Sequence, residues 1–181
     1  VTVLAFDQAV LPLYAGAPGG FGAAQLAKLR SRGALGGSNL SAALRAAGRH
    51  LKDGGRVVLF GNGVATLGSR EAEGLRREAE KLGQQGVVRL DTVTMTTARD
   101  METLRAIATA GLPYDGVHVQ LGAAAETPAA FMPLSRGTLK PVQVAIAGAG
   151  WVWPSTLRGL QHGDHALVYA ELPQGAPLTI G

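Results

Sequence analysis

Strand-like and helix-like segments alternate along the first 122 residues of this chain, and this alternation constrains its fold more than any other feature. Residues 56–60 (Arg-Val-Val-Leu-Phe), 87–95 and 117–121 are strand-like runs rich in valine and leucine. Residues 69–82 and 100–110 lie between them and place apolar side chains at helical spacing. A repeat of roughly 25–30 residues predicts right-handed crossovers between parallel strands. We therefore expect an α/β fold with a doubly wound, mostly parallel sheet and helices on both faces.

The first 40 residues continue this pattern less regularly. Residues 1–6 (Val-Thr-Val-Leu-Ala-Phe) are apolar on both faces and predict a buried parallel strand. A second short strand is expected over residues 11–14, followed by a helix over 22–32. The next helix begins near Ser38, where either Ser38 or Asn39 suits the N-cap position.

The sequence changes character after the strand at 117–121. Residues 127–140 contain two prolines and read as a linker, and no long helix is expected beyond them. We therefore divide the chain into an α/β domain, 1–127, and a β-rich appendage, 128–181, which is too small to form a stable sheet alone. Strand-like runs in the appendage are residues 142–147, 166–172 and 178–180.

Composition excludes several functional classes. Cysteine is absent, which excludes disulfide bonds, thiolate metal sites and a cysteine nucleophile. The net charge is +4, but the basic residues are scattered, so no nucleic-acid partner is expected. No run of about 18 apolar residues occurs, so no membrane span is expected. The chain opens on a strand-like run without Met or a basic leader, and we expect it to be a piece of a longer polypeptide.

Three segments, in order, resemble the von Willebrand factor type A domain, in the form found in bacterial relatives of the inter-alpha-trypsin inhibitor. Residues 1–6 resemble its second strand, and residues 36–44 (Gly-Gly-Ser-Asn-Leu-Ser-Ala-Ala-Leu) resemble its Gly-Gly-Thr-Asp-Leu helix start. Residues 57–68 resemble the hydrophobic strand that ends in an Asp-Gly turn, and residues 89–104 fit the strand and helix that follow. The strand-rich tail resembles the β region that flanks this domain.

The resemblance implies a metal-ion-dependent adhesion site, which this chain alters. The family binds Mg²⁺, a hard cation that prefers oxygen ligands, through an Asp-x-Ser-x-Ser loop, a Thr and an Asp. No Asp-x-Ser-x-Ser occurs here, so the first strand and its loop would precede Val1. Ser38 stands at the Thr position and keeps a hydroxyl, whereas Asn62 stands at the Asp position and loses the charge. We expect a weakened or vestigial Mg²⁺ site; the alternatives are a helix cap for Ser38 and a turn residue for Asn62.

The function implied by the resemblance is protein–protein binding or assembly rather than catalysis. The expected partner is a protein and includes the remainder of the chain's own polypeptide. An extracytoplasmic or cell-surface location is favoured over a cytoplasmic one. The alternative function is a nucleotide-binding or hydrolytic enzyme whose glycine-rich turn (Gly61, Gly63 and Gly68) holds a phosphate, although the lysine of a P-loop is missing.

Two further groups of residues are candidates for function. The pair His162 and His165 flanks Gly-Asp and reads as a turn rather than a metal cluster, and His118 has no identified catalytic partner. Trp151 and Trp153 occupy alternate positions of a strand and form either an exposed anchor for a partner or part of a packed interface.

Overall fold

A computed structural model describes residues 1–51, 54–122 and 128–175 of the chain. Within these residues the chain is an α/β protein, which confirms the class predicted from its alternating segments. The α-helices are α1 (Ala23–Arg32), α2 (Leu40–Arg49), α3 (Ala72–Lys81), α4 (Met101–Ala108) and α5 (Met132–Ser135). The strands are β1 (Thr2–Phe6), β2 (Val10–Ala15), β3 (Gly55–Phe60), β4 (Val87–Thr94), β5 (His118–Gln120), β6 (Val142–Gln143), β7 (Trp151–Trp153), β8 (Thr156–Leu157) and β9 (Tyr169–Glu171).

The centre of the fold is a three-stranded parallel sheet in the order β3-β4-β5. Helix α3 lies in the connection from β3 to β4, and α4 lies in the connection from β4 to β5. Parallel neighbours need such crossover connections, because the chain must return to the same end of the sheet before the next strand begins. In β4, only Val88 is not fully buried. Strand β3 lies at the edge of the sheet and pairs with β4 alone among the described residues.

The main core lies between one face of this sheet and helices α2, α3 and α4. Leu75 of α3, Leu90 of β4 and Ile107 of α4 are completely buried there. Leu44 of α2 joins the same cluster. On each helix the buried apolar residues lie three or four positions apart, which aligns them on one stripe that faces the sheet. They are Leu40 and Leu44 of α2, Leu75 and Ala79 of α3, and Leu104 and Ile107 of α4.

The prediction of a parallel strand over residues 1–6 is wrong. Strand β1 instead pairs antiparallel with β2 and forms a separate two-stranded sheet. The reason is the tight turn after Phe6, in which the Asp7 carboxylate accepts a hydrogen bond from the Ala9 N–H. The strand predicted over residues 11–14 is confirmed as β2.

The segment that follows the main sheet packs against it. The predicted linker is wrong for residues 128–135, which form a 3₁₀ helix (Pro128–Phe131) and α5. Ala130 and Leu134 pack against a second buried cluster, formed by Val93, Val117, Val119 and Leu121. Beyond them lie two small antiparallel sheets, β6 with β8 and β7 with β9. The strand predicted over residues 178–180 lies outside the described residues.

The ends of several predicted elements shift by a few residues. Asn39 rather than Ser38 caps α2, since its side chain accepts a hydrogen bond from the Ala42 N–H. Helix α1 buries no residue, and its Leu26 and Leu29 are exposed. In the described parts of the chain, the longest α-helices have ten residues, and none has the length and apolar character needed to cross a bilayer.

Candidate functional site

A rim of loops gathers where β1 and β3 end. We call it the loop rim, and it comprises Asp7, Ser38, Asn39 and residues 61–68. The Asn39 N–H donates to the Asp7 carbonyl at 2.8 Å, and the Thr66 N–H donates to the Ser38 carbonyl at 2.9 Å. The Ser38 N–H donates in turn to Thr66 Oγ1 at 2.7 Å. Backbone hydrogen bonds therefore join the ends of both sheets into one surface.

The two sequence-predicted metal residues, Ser38 and Asn62, both lie on this rim. The backbone N–H and carbonyl of Ser38 both form hydrogen bonds with Thr66. The alternative interpretation of Ser38 as the cap of α2 is wrong, because Asn39 occupies that position. Asn62 is exposed, and its side-chain oxygen accepts a hydrogen bond from the Val64 N–H at 3.1 Å. This is the geometry of an Asx turn, which agrees with the alternative interpretation of Asn62.

The carboxylates nearest to these residues are engaged elsewhere. Asp7 forms an ion pair with Arg32, whose side-chain hydrogen bond lowers the pKa of Asp7 from 3.8 to about 2. Asp100 caps α4 by accepting from the N–H and hydroxyl of Thr103. Across the described ranges, no group of three His, Cys, Asp or Glu residues is placed to hold a metal ion. The rim residues of this chain therefore do not fit a self-sufficient Mg²⁺ site, which needs anionic oxygen ligands.

The glycine-rich turn of the alternative hypothesis is shaped by packing. Gly63 has a φ of 79°, and a Cβ there would lie 2.7 Å from the Asp100 carbonyl oxygen. Gly68 has a φ of 71°, and a Cβ there would lie 2.6 Å from Asn39 Oδ1. The helix after the turn starts with Glu73 in its first turn, and this charge disfavours a phosphate at that end. These glycines thus allow the turn to approach the starts of α2 and α4.

Strand β3 presents an open edge to solvent. The Gly61 N–H donates to the Val93 carbonyl within β4, and the Gly55 N–H donates to the Gly86 carbonyl just before β4. Because alternate residues of a parallel strand bond to the same neighbour, the N–H groups of Val58 and Phe60 point to the other side. Their side chains are also 38% and 54% exposed. The edge therefore combines backbone donors in need of partners with an uncovered apolar surface.

Among the described residues, this open edge forms no strand pairing with the nearby β1–β2 sheet. The Phe6 ring packs partly into the main core, and a Cβ on Gly61 would lie 3.8 Å from its Cζ atom. Nevertheless β1 bonds only to β2 and β3 only to β4 among the described strands. A mainly apolar cleft of about 290 Å³ lies at the carboxyl ends of β3 and β4, lined by Phe60, Gly61, Asn62, Val93, Thr94, Met95 and Thr96.

A buried ionic network surrounds Asp91 of β4. Asp91 is completely buried and accepts hydrogen bonds from Arg56 Nε at 2.7 Å, Arg89 Nε at 2.9 Å and the Val117 N–H at 2.9 Å. Arg89 Nη2 lies 2.8 Å from Asp91 Oδ1 at an angle that makes this an ion-pair contact rather than a hydrogen bond. Arg89 Nη1 donates to the Arg136 carbonyl, so the network joins the sheet to the segment after α5.

His118 lies in β5, beside the hydroxyl group of Thr92 in β4. Its Nδ1 lies 3.0 Å from the Thr92 hydroxyl oxygen, and burial, assisted by the charges of Arg99 and Arg105, lowers its pKa. A hydroxyl rather than a carboxylate therefore orients the ring, unlike the general base of a catalytic triad. The residues around His162 form the predicted turn, in which the Asp164 N–H donates to the Gln161 carbonyl.

No protein-family model, no curated protein and no solved structure matches this chain. Function is therefore inferred from the geometry of the described residues.

Proposed function

We propose that this chain is a protein-binding and assembly module of the von Willebrand type A kind, completed by a β-strand from a partner or from the remainder of its own polypeptide. The observation that carries the proposal is the open edge of β3. Val58 and Phe60 there combine exposed side chains with backbone N–H groups that point away from β4. An added strand satisfies these donors, which is the usual basis of recognition by strand addition.

The place of β1 supports this assignment of the edge. The carboxyl ends of β1 and β3 meet at the loop rim, with the Phe6 ring beside Gly61. One strand inserted between them would join the two-stranded and three-stranded sheets into a single doubly wound sheet. In the domain that the chain resembles, this central strand is the one that carries the Asp-x-Ser-x-Ser loop.

Burial adds to the gain from hydrogen bonding. The side chains of an incoming strand would lie beside Val58 and Phe60, which are 38% and 54% exposed, and each contact contributes about 1 kcal/mol at most. Met95 is 68% exposed at the mouth of the adjoining cleft and offers contact to an apolar side chain of the partner. Apolar contact beside an unpaired edge favours a peptide over a small polar ligand.

A peptide-binding experiment tests this proposal. The probe is a fluorescent synthetic peptide of five Val and Ile residues followed by Asp-Gly-Ser-Gly-Ser, and binding is followed by fluorescence anisotropy. Val58→Pro removes a donor from the open edge without touching the β4 ladder, and we expect it to abolish binding. Val58→Lys places a charge on the edge strand, which disfavours pairing with another strand, and should weaken binding. Its circular dichroism spectrum should match that of the unchanged chain. Unchanged binding by both folded variants would refute strand addition.

Metal dependence is a separate part of the proposal. The chain alone supplies Ser38 and Asn62 but no rim carboxylate that is not already paired or capping. We therefore expect isothermal titration of the free chain with Mg²⁺ to give no saturable heat at millimolar concentration. Titration of the peptide complex should give weak binding that Asn62→Asp strengthens, because the substitution restores an anionic ligand.

A further inference from the structure

The small sheet formed by β7 and β9 carries an exposed aromatic face, far along the chain from β3. Trp153 pairs with Tyr169, and Trp151 pairs with Glu171. Directly paired residues share a face of a sheet, and so do residues two apart on one strand. We call these four side chains, Trp151, Trp153, Tyr169 and Glu171, the aromatic–acidic face.

This face is open to solvent. Trp151, Trp153 and Tyr169 are 51%, 64% and 54% exposed, so packing within the described chain does not account for them. Exposed tryptophan and tyrosine in one patch are typical of recognition surfaces. The remaining question is which chemistry the patch fits.

Glu171 indicates a cation. Its side chain is exposed, and it forms no ion pair with the residues that the structure describes. Glu171 stands opposite Trp151 in the register and shares its face of the sheet with Trp153 and Tyr169. Aromatic faces attract cations, and an adjacent carboxylate adds charge complementarity. A planar guanidinium satisfies both, since it stacks on rings and donates to carboxylates in a fixed geometry.

The ring spacing defines how such a group lies. The centroids of Trp153 and Tyr169 are 6.1 Å apart and their planes are tilted by 40°. A group sandwiched between two rings needs about 7–8 Å, or two contacts of about 3.5–4.0 Å. A guanidinium on this face would therefore lie across the outer surface of the rings, with its N–H groups directed toward Glu171.

We propose that the aromatic–acidic face is a second docking surface, which binds an arginine side chain of a protein partner. This surface is separate from the open edge of β3 and does not depend on strand addition there. The chain's two tryptophans both belong to it, so intrinsic tryptophan fluorescence reports on this face alone.

The experiment titrates the whole chain with the acetylated, amidated peptide Gly-Arg-Gly-Arg-Gly and follows tryptophan emission. The matched probe replaces both arginines with citrulline, which keeps the shape and removes the charge. We expect saturable binding of the arginine peptide and at least tenfold weaker binding of the citrulline peptide. Both Glu171→Gln and Tyr169→Leu should weaken binding roughly 2- to 30-fold, the range of a cation–π or exposed ionic contact.

Matched variants elsewhere distinguish this site from general effects. Glu80→Gln and Tyr114→Leu change an exposed carboxylate and an exposed tyrosine away from the face, and they should leave the affinity unchanged. Equal affinity for the two peptides, or no effect of Glu171→Gln, would overturn the proposal. A change in tryptophan emission with cellohexaose but not with the arginine peptide would also overturn it, because a saccharide would then be the ligand. A dimer in sedimentation that Tyr169→Leu dissociates would overturn it as well, because a second copy of the chain would then cover the face.

Discussion

Replacing Asp91 with asparagine removes the only negative charge in the buried network of β4. The carboxylate is completely buried and accepts from Arg56, Arg89 and the backbone of Val117. Arg89 is only 6% exposed, so Asp91→Asn leaves a buried guanidinium without its counter-charge. Breaking a buried pair on one side costs about 3–5 kcal/mol. For a chain of this size that loss lowers the Tm by roughly 6–20 °C.

Urea unfolding followed by circular dichroism measures the loss directly. Glu80→Gln, at an exposed ion pair with Arg76, is the control and should change the free energy of unfolding by no more than about 0.5 kcal/mol. The double variant Asp91→Leu with Arg89→Met removes both buried charges and should be markedly more stable than Asp91→Asn. A loss below about 1 kcal/mol for Asp91→Asn would show that the network does not hold the sheet and the following segment together.

Three further predictions concern the backbone and the loop rim. Gly116→Ala places a Cβ against the Leu90 carbonyl oxygen and should lower the free energy of unfolding by about 3 kcal/mol. In the control, Gly137→Ala, the Cβ meets open space, and the same unfolding assay should show a change of no more than about 0.5 kcal/mol. The pKa of Asp7 is lowered to about 2, so the stability that its ion pair contributes is present above pH 3.8 and is lost as the pH falls toward 2. Asp7→Asn should therefore reduce the fall in the free energy of unfolding between about pH 4 and pH 2. An unchanged fall would contradict the role of the ion pair. Asn39→Ala should cost about 1 kcal/mol in thermal unfolding, because it removes the cap of α2, and no loss would mean that the cap is not formed.

The sequence predicts the parallel part of the fold well because periodicity reports burial. The apolar run at 56–60 and the helical stripes at 69–82 and 100–110 each became an element of the main sheet or its helices. The same signal does not report pairing partners. Residues 1–6 are apolar enough for a parallel strand, but the turn at Asp7 returns the chain at once and makes a hairpin.

The site was harder to predict, since its contacts join residues distant in sequence. Ser38 and Asn62 do lie on one rim, but neither spacing nor composition indicates that Arg32 engages Asp7 or that Asp91 holds two arginines. The linker prediction at 127–140 followed the prolines and missed the contact of Leu134 with the sheet. An acidic residue inside a predicted buried strand, as at Asp91, is the one signal that could have indicated the ionic network.

Residue-resolved amide hydrogen exchange of β3 tests the central claim most directly. In the free chain, the N–H groups of Val57 and Leu59 point toward β4 and should exchange slowly, whereas those of Val58 and Phe60 point to the open edge and should exchange fast. Adding the strand peptide should slow Val58 and Phe60 and leave Val57 and Leu59 nearly unchanged. Slow exchange at Val58 and Phe60 in the chain alone would mean that this edge is already paired, and would contradict the account.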